Sequence, residues 1–94
     1  MSAKTAIEKQ FEIVNRLGLH ARAAAVLVQT AQKFTCNVEI IKDSLAVNGK
    51  SIMGLLMLAA AKGVTITVKT SGEDAEAAMD AIGNLVRAGF GEND

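Results

Sequence analysis

The residues with the clearest capacity for chemistry lie in the stretch 15–22, which reads Asn-Arg-Leu-Gly-Leu-His-Ala-Arg. His20 is the only histidine in the 94 residues, and it stands two residues after Gly18 and two before Arg22. A neutral imidazole can accept a phosphoryl group, and a guanidinium can hold phosphate oxygens with its forked donors. These residue types indicate phosphoryl chemistry, while a lone histidine at this place is also compatible with a helix cap or a surface residue.

A helix is expected to begin directly behind His20, over residues 21–33, because this segment is rich in alanine and other helix formers. Its expected buried stripe has the spacing i, i+3, i+4 and i+7, at Ala24, Leu27, Val28 and Ala31. The first N–H groups of a helix have no partner within it, and the helix dipole adds positive charge there. The backbone N–H groups that follow His20, together with Arg22, are therefore predicted to form a phosphate site.

Ser51 and Cys36 are the other two side chains whose chemistry needs an interpretation. Ser51 immediately precedes an apolar helical stripe, a position at which serine is a preferred N-cap. Cys36 is the only cysteine, so no disulfide can form within the chain and a reducing compartment is expected. With no activating charged neighbour in the sequence, Cys36 is interpreted as a structural or partly exposed thiol. One histidine and one cysteine cannot build a metal cage, so no metal site is predicted.

Length and composition predict one domain over residues 1–94, with an aliphatic core. Half of the residues are hydrophobic, but only three are aromatic, all of them phenylalanine. Ten basic residues balance ten acidic ones, and neither this charge nor this aromatic content suits a nucleic-acid partner. Residues 1–10 contain no apolar signal segment, and no apolar run is long enough to span a bilayer. A cytoplasmic monomer without membrane insertion is therefore predicted.

Periodicity predicts the elements that must position these residues. Alternation and β-branched runs predict strands over residues 8–14, 37–42, 45–47 and 64–70. Two further helices are expected, one from Ser51 to a stop at Gly63, and one over residues 75–87 with Ser71 or Asp74 as its cap. Their predicted buried stripes are Ile52, Leu55, Leu56 and Ala59 in the first, and Ala78, Ile82, Leu85 and Val86 in the second.

The resulting order is β-α-β-β-α-β-α, which contains the split β-α-β unit twice. Such units close into a four-stranded antiparallel sheet whose helices cover one face. The predicted fold is therefore α+β, an open-faced sandwich with three helices on one face of the sheet. After Gly89 only an acidic tail is expected.

The segment Gly18-Leu19-His20-Ala21-Arg22, with the helix behind it, resembles the active-site segment of the HPr family. These proteins are the histidine phosphocarriers of the bacterial phosphoenolpyruvate-dependent sugar phosphotransferase system. Lys50-Ser51-Ile52-Met53-Gly54 resembles the regulatory-serine segment of the same family, and the resemblance spans about residues 8–89. One departure stands out: family members normally carry proline after the active-site arginine, where this chain has Ala23.

The resemblance implies a phosphoryl carrier rather than an enzyme that turns over a substrate alone. In that case His20 accepts the phosphoryl group from phosphorylated enzyme I and donates it to IIA domains of sugar transporters. Arg22 and the backbone N–H groups of Ala21 to Ala23 would hold the phosphate, and no cofactor is implied.

The resemblance also implies regulation, while partner contacts are predicted from the residues. Ser51 would be phosphorylated by an ATP-dependent HPr kinase/phosphorylase, although it is equally interpreted as a plain N-cap. The residues themselves predict an apolar patch for partners around the site, because Met53 lies off the buried stripe of its helix and Leu19 flanks the histidine; the patch consists of Leu19, Ile52, Met53 and Gly54. The alternative for Leu19 and Met53 is that both are partly buried core residues.

Two other functions stay open at this stage. The chain could be a regulatory HPr-like module, of the nitrogen branch or acting through phosphorylated Ser51, which binds a transcription regulator and relays phosphate weakly or not at all. It could also be an α+β interaction domain in which His20 is an inert cap. Phosphorylation of His20, of Ser51, or of neither distinguishes the three.

Overall fold

The structure is a computed structural model that describes residues 6–92. The strands are β1 Ala6–Glu12, β2 Asn37–Lys42, β3 Leu45–Asn48 and β4 Thr65–Ser71. The helices are α1 Ala21–Ala31, α2 Ile52–Met57 and α3 Ala75–Arg87, followed by a 3₁₀ segment Gly89–Gly91, here called the C-terminal turn. Within residues 6–92, no helix has the length and apolar character needed to cross a membrane.

The four strands form one antiparallel sheet in the order β1-β4-β2-β3. Ala6 lies opposite Ser71 and Glu12 opposite Thr65, so β1 ends at the edge of the sheet where β4 begins. Side chains of β4 alternate between the two faces, as the pleat of a strand requires, and the buried ones are Ile66, Val68 and Thr70. The predicted open-faced α+β sandwich with its four-stranded sheet is therefore confirmed.

The helices and the buried face of the sheet enclose one aliphatic core. Its largest fully buried side chains include Ile13, Leu27, Ile40, Leu55, Ile66, Met79 and Ile82. Burial of each such side chain stabilises the fold by about 1.5–3 kcal/mol. Because Leu27 and its neighbours on α1 take part in this packing, the start of α1 is held at a fixed place over the sheet.

The second helix ends earlier than the sequence predicts, at Met57 rather than near Gly63. The carbonyl oxygen of Ala60 accepts a hydrogen bond from the Leu19 N–H at 2.9 Å, which draws the chain towards the loop that precedes α1. Ala59 absorbs the change of direction with a φ of 50°, a conformation that is uncommon for a residue other than glycine. A tertiary contact thus overrides the helical pattern of the sequence.

This early end corrects the predicted apolar stripe of α2. Leu55 is fully buried, as predicted, but the three other predicted members are exposed, namely Ile52, Leu56 and Ala59. Because these side chains are exposed, one side of α2 faces solvent with apolar groups. At the end of the helix, Lys42 Nζ donates a hydrogen bond to the carbonyl oxygen of Leu58 at 3.1 Å.

The start of α3 also differs from the prediction. Asp74 occupies the N-cap position, but neither its side chain nor that of Ser71 caps the helix. The Asp74 carboxylate instead accepts the backbone N–H groups of Thr35 at 2.8 Å and Cys36 at 2.9 Å. The bond from Thr35, opposed in part by burial, holds the pKa of the Asp74 carboxyl below its usual value. Burial, and then Asp74, raises the pKa of the Cys36 thiol, which agrees with a structural cysteine.

Candidate functional site

His20 is positioned by a loop that is tied to the rest of the chain at both ends. Directly after β1, the Ile13 N–H donates to the carbonyl oxygen of Val64 at 2.9 Å, which fixes the start of the loop. Gly18 turns the chain with a φ of 68°, a left-handed conformation that glycine adopts readily. The Leu19 N–H then donates to Ala60, so that His20 follows directly after a fixed residue.

His20 is the N-cap residue of α1, as the sequence predicts. Its carbonyl oxygen accepts the Ala24 N–H at 2.8 Å, but its imidazole makes no capping hydrogen bond. The N–H groups of Ala21, Arg22 and Ala23 therefore begin the helix without a partner inside it. Ala23 is fully buried as the third helical residue, where alanine supplies an N–H donor that proline lacks.

The imidazole of His20 contacts a residue that was not predicted from the sequence to belong to the site. Its Nε2 atom makes a short hydrogen bond with the Oε2 atom of Glu92, which lies just beyond the C-terminal turn. The other carboxylate oxygen of Glu92 accepts a hydrogen bond from Asn15 Nδ2 at 2.8 Å. Asn15 Nδ2 also donates to the carbonyl oxygen of Gly18 at 2.8 Å, so one buried amide joins the His20 loop to Glu92.

These contacts favour the ionised form of Glu92. The hydrogen bond from Asn15, and after it that from His20, holds the pKa of the Glu92 carboxyl below its usual value. Burial acts in the opposite direction, and the positive charge of Arg22 adds to the lowering. A depressed pKa in the folded state means that the contact stabilises the fold above the ordinary glutamate pKa and is lost as the pH falls through the folded value.

An open depression of about 580 Å³ surrounds the imidazole. Its lining consists of Arg16, Leu17, His20, Arg22, Phe90, Gly91 and Glu92. Two guanidinium groups and the N-terminus of α1 make this depression suitable for an anion, and its openness to solvent gives a protein partner direct access. The predicted residues His20 and Arg22 thus lie together, whereas Ser51 and the predicted residues of α2 do not line it.

The four residues of the predicted apolar patch differ in their exposure to solvent. Met53 is 73% exposed and Ile52 is 42% exposed, both on α2, and Gly54 is half-buried beside them. Leu19 is only 4% exposed and packs in the core, so its predicted place in an exposed patch is wrong and the alternative of a core residue holds. The exposed side of α2 is instead extended by two further side chains, Leu56 and Met57.

Ser51 caps α2, as predicted: its Oγ accepts the Gly54 N–H at 3.0 Å. Removal of this acceptor by Ser51→Ala is expected to lower the free energy of unfolding by about 1 kcal/mol. Chemical denaturation of the variant and the wild type measures the difference. Ser44→Ala, at an exposed turn residue, is the matched control. Equal effects of the two substitutions would contradict a stabilising cap.

A histidine and an arginine at one helix N-terminus, in an open depression, are residue types suited to carrying a phosphoryl group. A family model described as "PTS HPr component phosphorylation site" matches residues 7–88. The chain is 49% identical to the phosphocarrier protein HPr of Neisseria meningitidis over 88 residues, which are 94% of this chain and 99% of the relative. It therefore belongs to the HPr family and has that family's general role as a phosphocarrier of the phosphotransferase system.

Two other similarities agree with this assignment. The HPr-like protein Crh of Halalkalibacterium halodurans is 50% identical over 76 residues, which are 81% of this chain and 90% of the relative. The crystal structure of an HPr from Thermoanaerobacter tengcongensis superposes with a TM-score of 0.90 at 42% identity. That superposition covers 94% of this chain and 99% of the other.

Proposed function

We propose that His20 carries the phosphoryl group, which it accepts from phosphorylated enzyme I and donates to IIA domains of sugar transporters. The observation that supports this most strongly is the position of the imidazole at the N-cap of α1, beside Arg22, in an open depression. A carrier must meet two partners in turn, so its reactive group has to be accessible. The side chain of His20 is 28% exposed, which suits such an exchange.

The chemistry required of the chain is small. The neutral imidazole forms a bond to phosphorus with a ring lone pair, and the bond from phosphorus to the donor group breaks with its electron pair leaving on the donor. Positioning and stabilisation of charge supply most of the rate in such transfers. We assign that stabilisation to the Arg22 guanidinium and to the N–H group of Ala21 at the exposed start of α1, with a smaller share from the N–H group of Ala23, which is fully buried.

Docking of the partners is proposed to use the exposed side of α2. Ile52 and Met53 present apolar surface there, and a flexible methionine adapts to more than one partner. Gly54 has no side chain and therefore adds no bulk to the surface beside them. Leu19 contributes indirectly, because the hydrogen bond of its N–H group to Ala60 fixes the position of His20, the next residue. We further propose that residues 1–94 act as one domain, as a monomer in the cytoplasm.

Transfer can be tested by incubating the protein with phosphoenolpyruvate and enzyme I and recording its intact mass. One added phosphoryl group is expected, which is lost on mild acid treatment, as for a phosphohistidine. Subsequent addition of a IIA domain should discharge the protein. An absence of any adduct, with an enzyme I that phosphorylates another HPr in the same experiment, would contradict the proposed function.

A regulatory role through Ser51 is the second candidate function. Ser51 is half-buried at the start of α2, directly before the exposed Ile52 and Met53, so a phosphate there would change the charge of the proposed docking surface. Helix N-termini accommodate phosphate, so little refolding is expected. Incubation with ATP and an HPr kinase/phosphorylase should phosphorylate the wild type but not Ser51→Ala. Binding of a transcription regulator that depends on this phosphate, without transfer through His20, would favour the regulatory alternative, including a nitrogen-branch role.

A further inference from the structure

The chain beyond α3 is built to return to His20. Gly89, Phe90 and Gly91 all have positive φ values, of 63°, 58° and 78°, which reverse the direction of the chain. A left-handed conformation is costly for phenylalanine, but its ring is buried, only 6% exposed. The Glu92 N–H donates to the Gly89 carbonyl at 3.0 Å. Packing and backbone hydrogen bonds therefore fix the position of Glu92 independently of the contacts of its side chain.

The hydrogen bonds around Glu92 identify which atom carries each proton. Asn15 faces two oxygen acceptors, those of Gly18 and Glu92, so the atom between them must be the amide nitrogen. The Glu92 carboxylate is ionised at neutral pH, since its pKa lies below the usual value, and an ionised carboxylate only accepts. The bond to His20 then requires that Nε2 carries a proton, so that in the neutral ring the lone pair is on Nδ1.

We propose that Glu92 is a positioning residue for phosphoryl transfer: its carboxylate fixes the orientation of the His20 ring and holds the ring proton on Nε2. This inference rests on the proposed function of His20. Asn15 takes part indirectly, because it holds the Glu92 carboxylate through the other oxygen. Neither residue needs to touch the phosphate.

The balance of charge in the transfer fits this arrangement. When Nδ1 forms its bond to phosphorus, the donor leaves with the electron pair of the broken bond, and the proton stays on Nε2. The ring becomes cationic, and the carboxylate that already accepts the Nε2 proton stabilises that charge where it forms. Of the other charged groups around the imidazole, Arg16 and Arg22 both line the depression. Glu92 is the only acidic residue of that lining, so among the described residues it is the anionic group at the ring.

The test of the ring proton uses the free protein and needs no partner. The imidazole of ¹⁵N-histidine-labelled protein is observed by long-range ¹H–¹⁵N correlation at a pH at which the ring is neutral, where the two nitrogen shifts report the tautomer. The wild type should populate the Nε2–H form predominantly. Glu92→Ala should shift the population towards a mixture of tautomers. The matched control is Glu73→Ala, which removes the same charge from an exposed turn at the opposite end of the sheet.

The rate of phosphoryl uptake from enzyme I is then compared for the same three proteins. Glu92→Ala should be about tenfold slower than the wild type, the low end of the roughly 10–100-fold effect of partners that orient a metal-ligating histidine, because this pair is partly exposed. Glu73→Ala should match the wild type. The phosphorylated wild type should carry its phosphate on Nδ1 in the same spectra.

Two results would overturn the inference: Glu92→Ala and Glu73→Ala with the same tautomer population and rate, or a wild type phosphorylated on Nε2. A wild type that takes up no phosphate at all would instead contradict the proposed function. In that case the tautomer measurement still decides whether Glu92 orients His20, because it is made on the free protein.

Discussion

Replacement of His20 by alanine (His20→Ala) is expected to abolish phosphoryl uptake from phosphoenolpyruvate and enzyme I. The structure offers no other group of comparable chemistry in the depression: the remaining lining consists of two guanidinium groups, a carboxylate and apolar or backbone surface. Guanidinium groups hold a phosphate but do not attack it. The Glu92 carboxylate is the one other lining group whose type can form a covalent phosphate, and Asn15 already occupies one of its oxygens. Intact mass spectrometry should therefore show one phosphoryl group on the wild type and none on the variant.

The loss must be separated from a loss of fold. His20 is partly exposed, and α1 is held by the core residues behind it, so the variant should keep the far-ultraviolet circular dichroism and a cooperative unfolding transition close to those of the wild type. Ser51→Ala is the control for the alternative acceptor and should retain uptake from enzyme I. Acid-labile phosphate on a folded His20→Ala protein would show that another residue is the acceptor.

The sequence was sufficient to predict the sheet, α1 and α3, because these elements depend on local patterns. The spacing of Leu27 and Val28 follows the helical period, and the β-branched run of β4 alternates between buried and exposed faces. The same argument placed His20 at the start of α1. A cap position is a local property of the chain, which is why this part of the candidate site could be predicted.

What the sequence did not predict depends on contacts between distant residues. α2 ends at Met57 because Ala60 pairs with Leu19, and no local pattern reports that bond. Glu92 reaches His20 from 72 positions along the chain, through a tail that composition alone identifies as acidic and polar. The one available sign was Phe90, an aromatic residue between two glycines, since an apolar side chain between two turn residues suggests a tail that packs back.

Gly18→Ala is expected to be the most damaging substitution near the site that leaves all of its functional groups in place. A Cβ atom at residue 18 would lie 2.6 Å from the carbonyl oxygen of Ala60 and 3.0 Å from Cα of Ala61, both backbone atoms that cannot turn away. The φ of 68° adds a cost of about 1–2 kcal/mol for an L-residue, and overpacking typically costs about 1–3 kcal/mol. We expect the free energy of unfolding to fall by about 2–5 kcal/mol, measured by chemical denaturation.

The matched control, Gly63→Ala, separates the two causes. Gly63 also has a positive φ, of 91°, but a Cβ there would meet no atom within 4 Å, so only the backbone cost of about 1–2 kcal/mol applies. The excess loss in Gly18→Ala therefore measures the close approach of the His20 loop to the chain behind α2. Relief of the clash must move Ala60 away from Leu19, which shifts His20 relative to Arg22 and Glu92. Phosphoryl uptake should slow by about tenfold or more even under conditions where the variant is folded, because transfer depends on sub-ångström positioning. Equal stability and equal uptake in the two variants would show that the loop is not held by this contact.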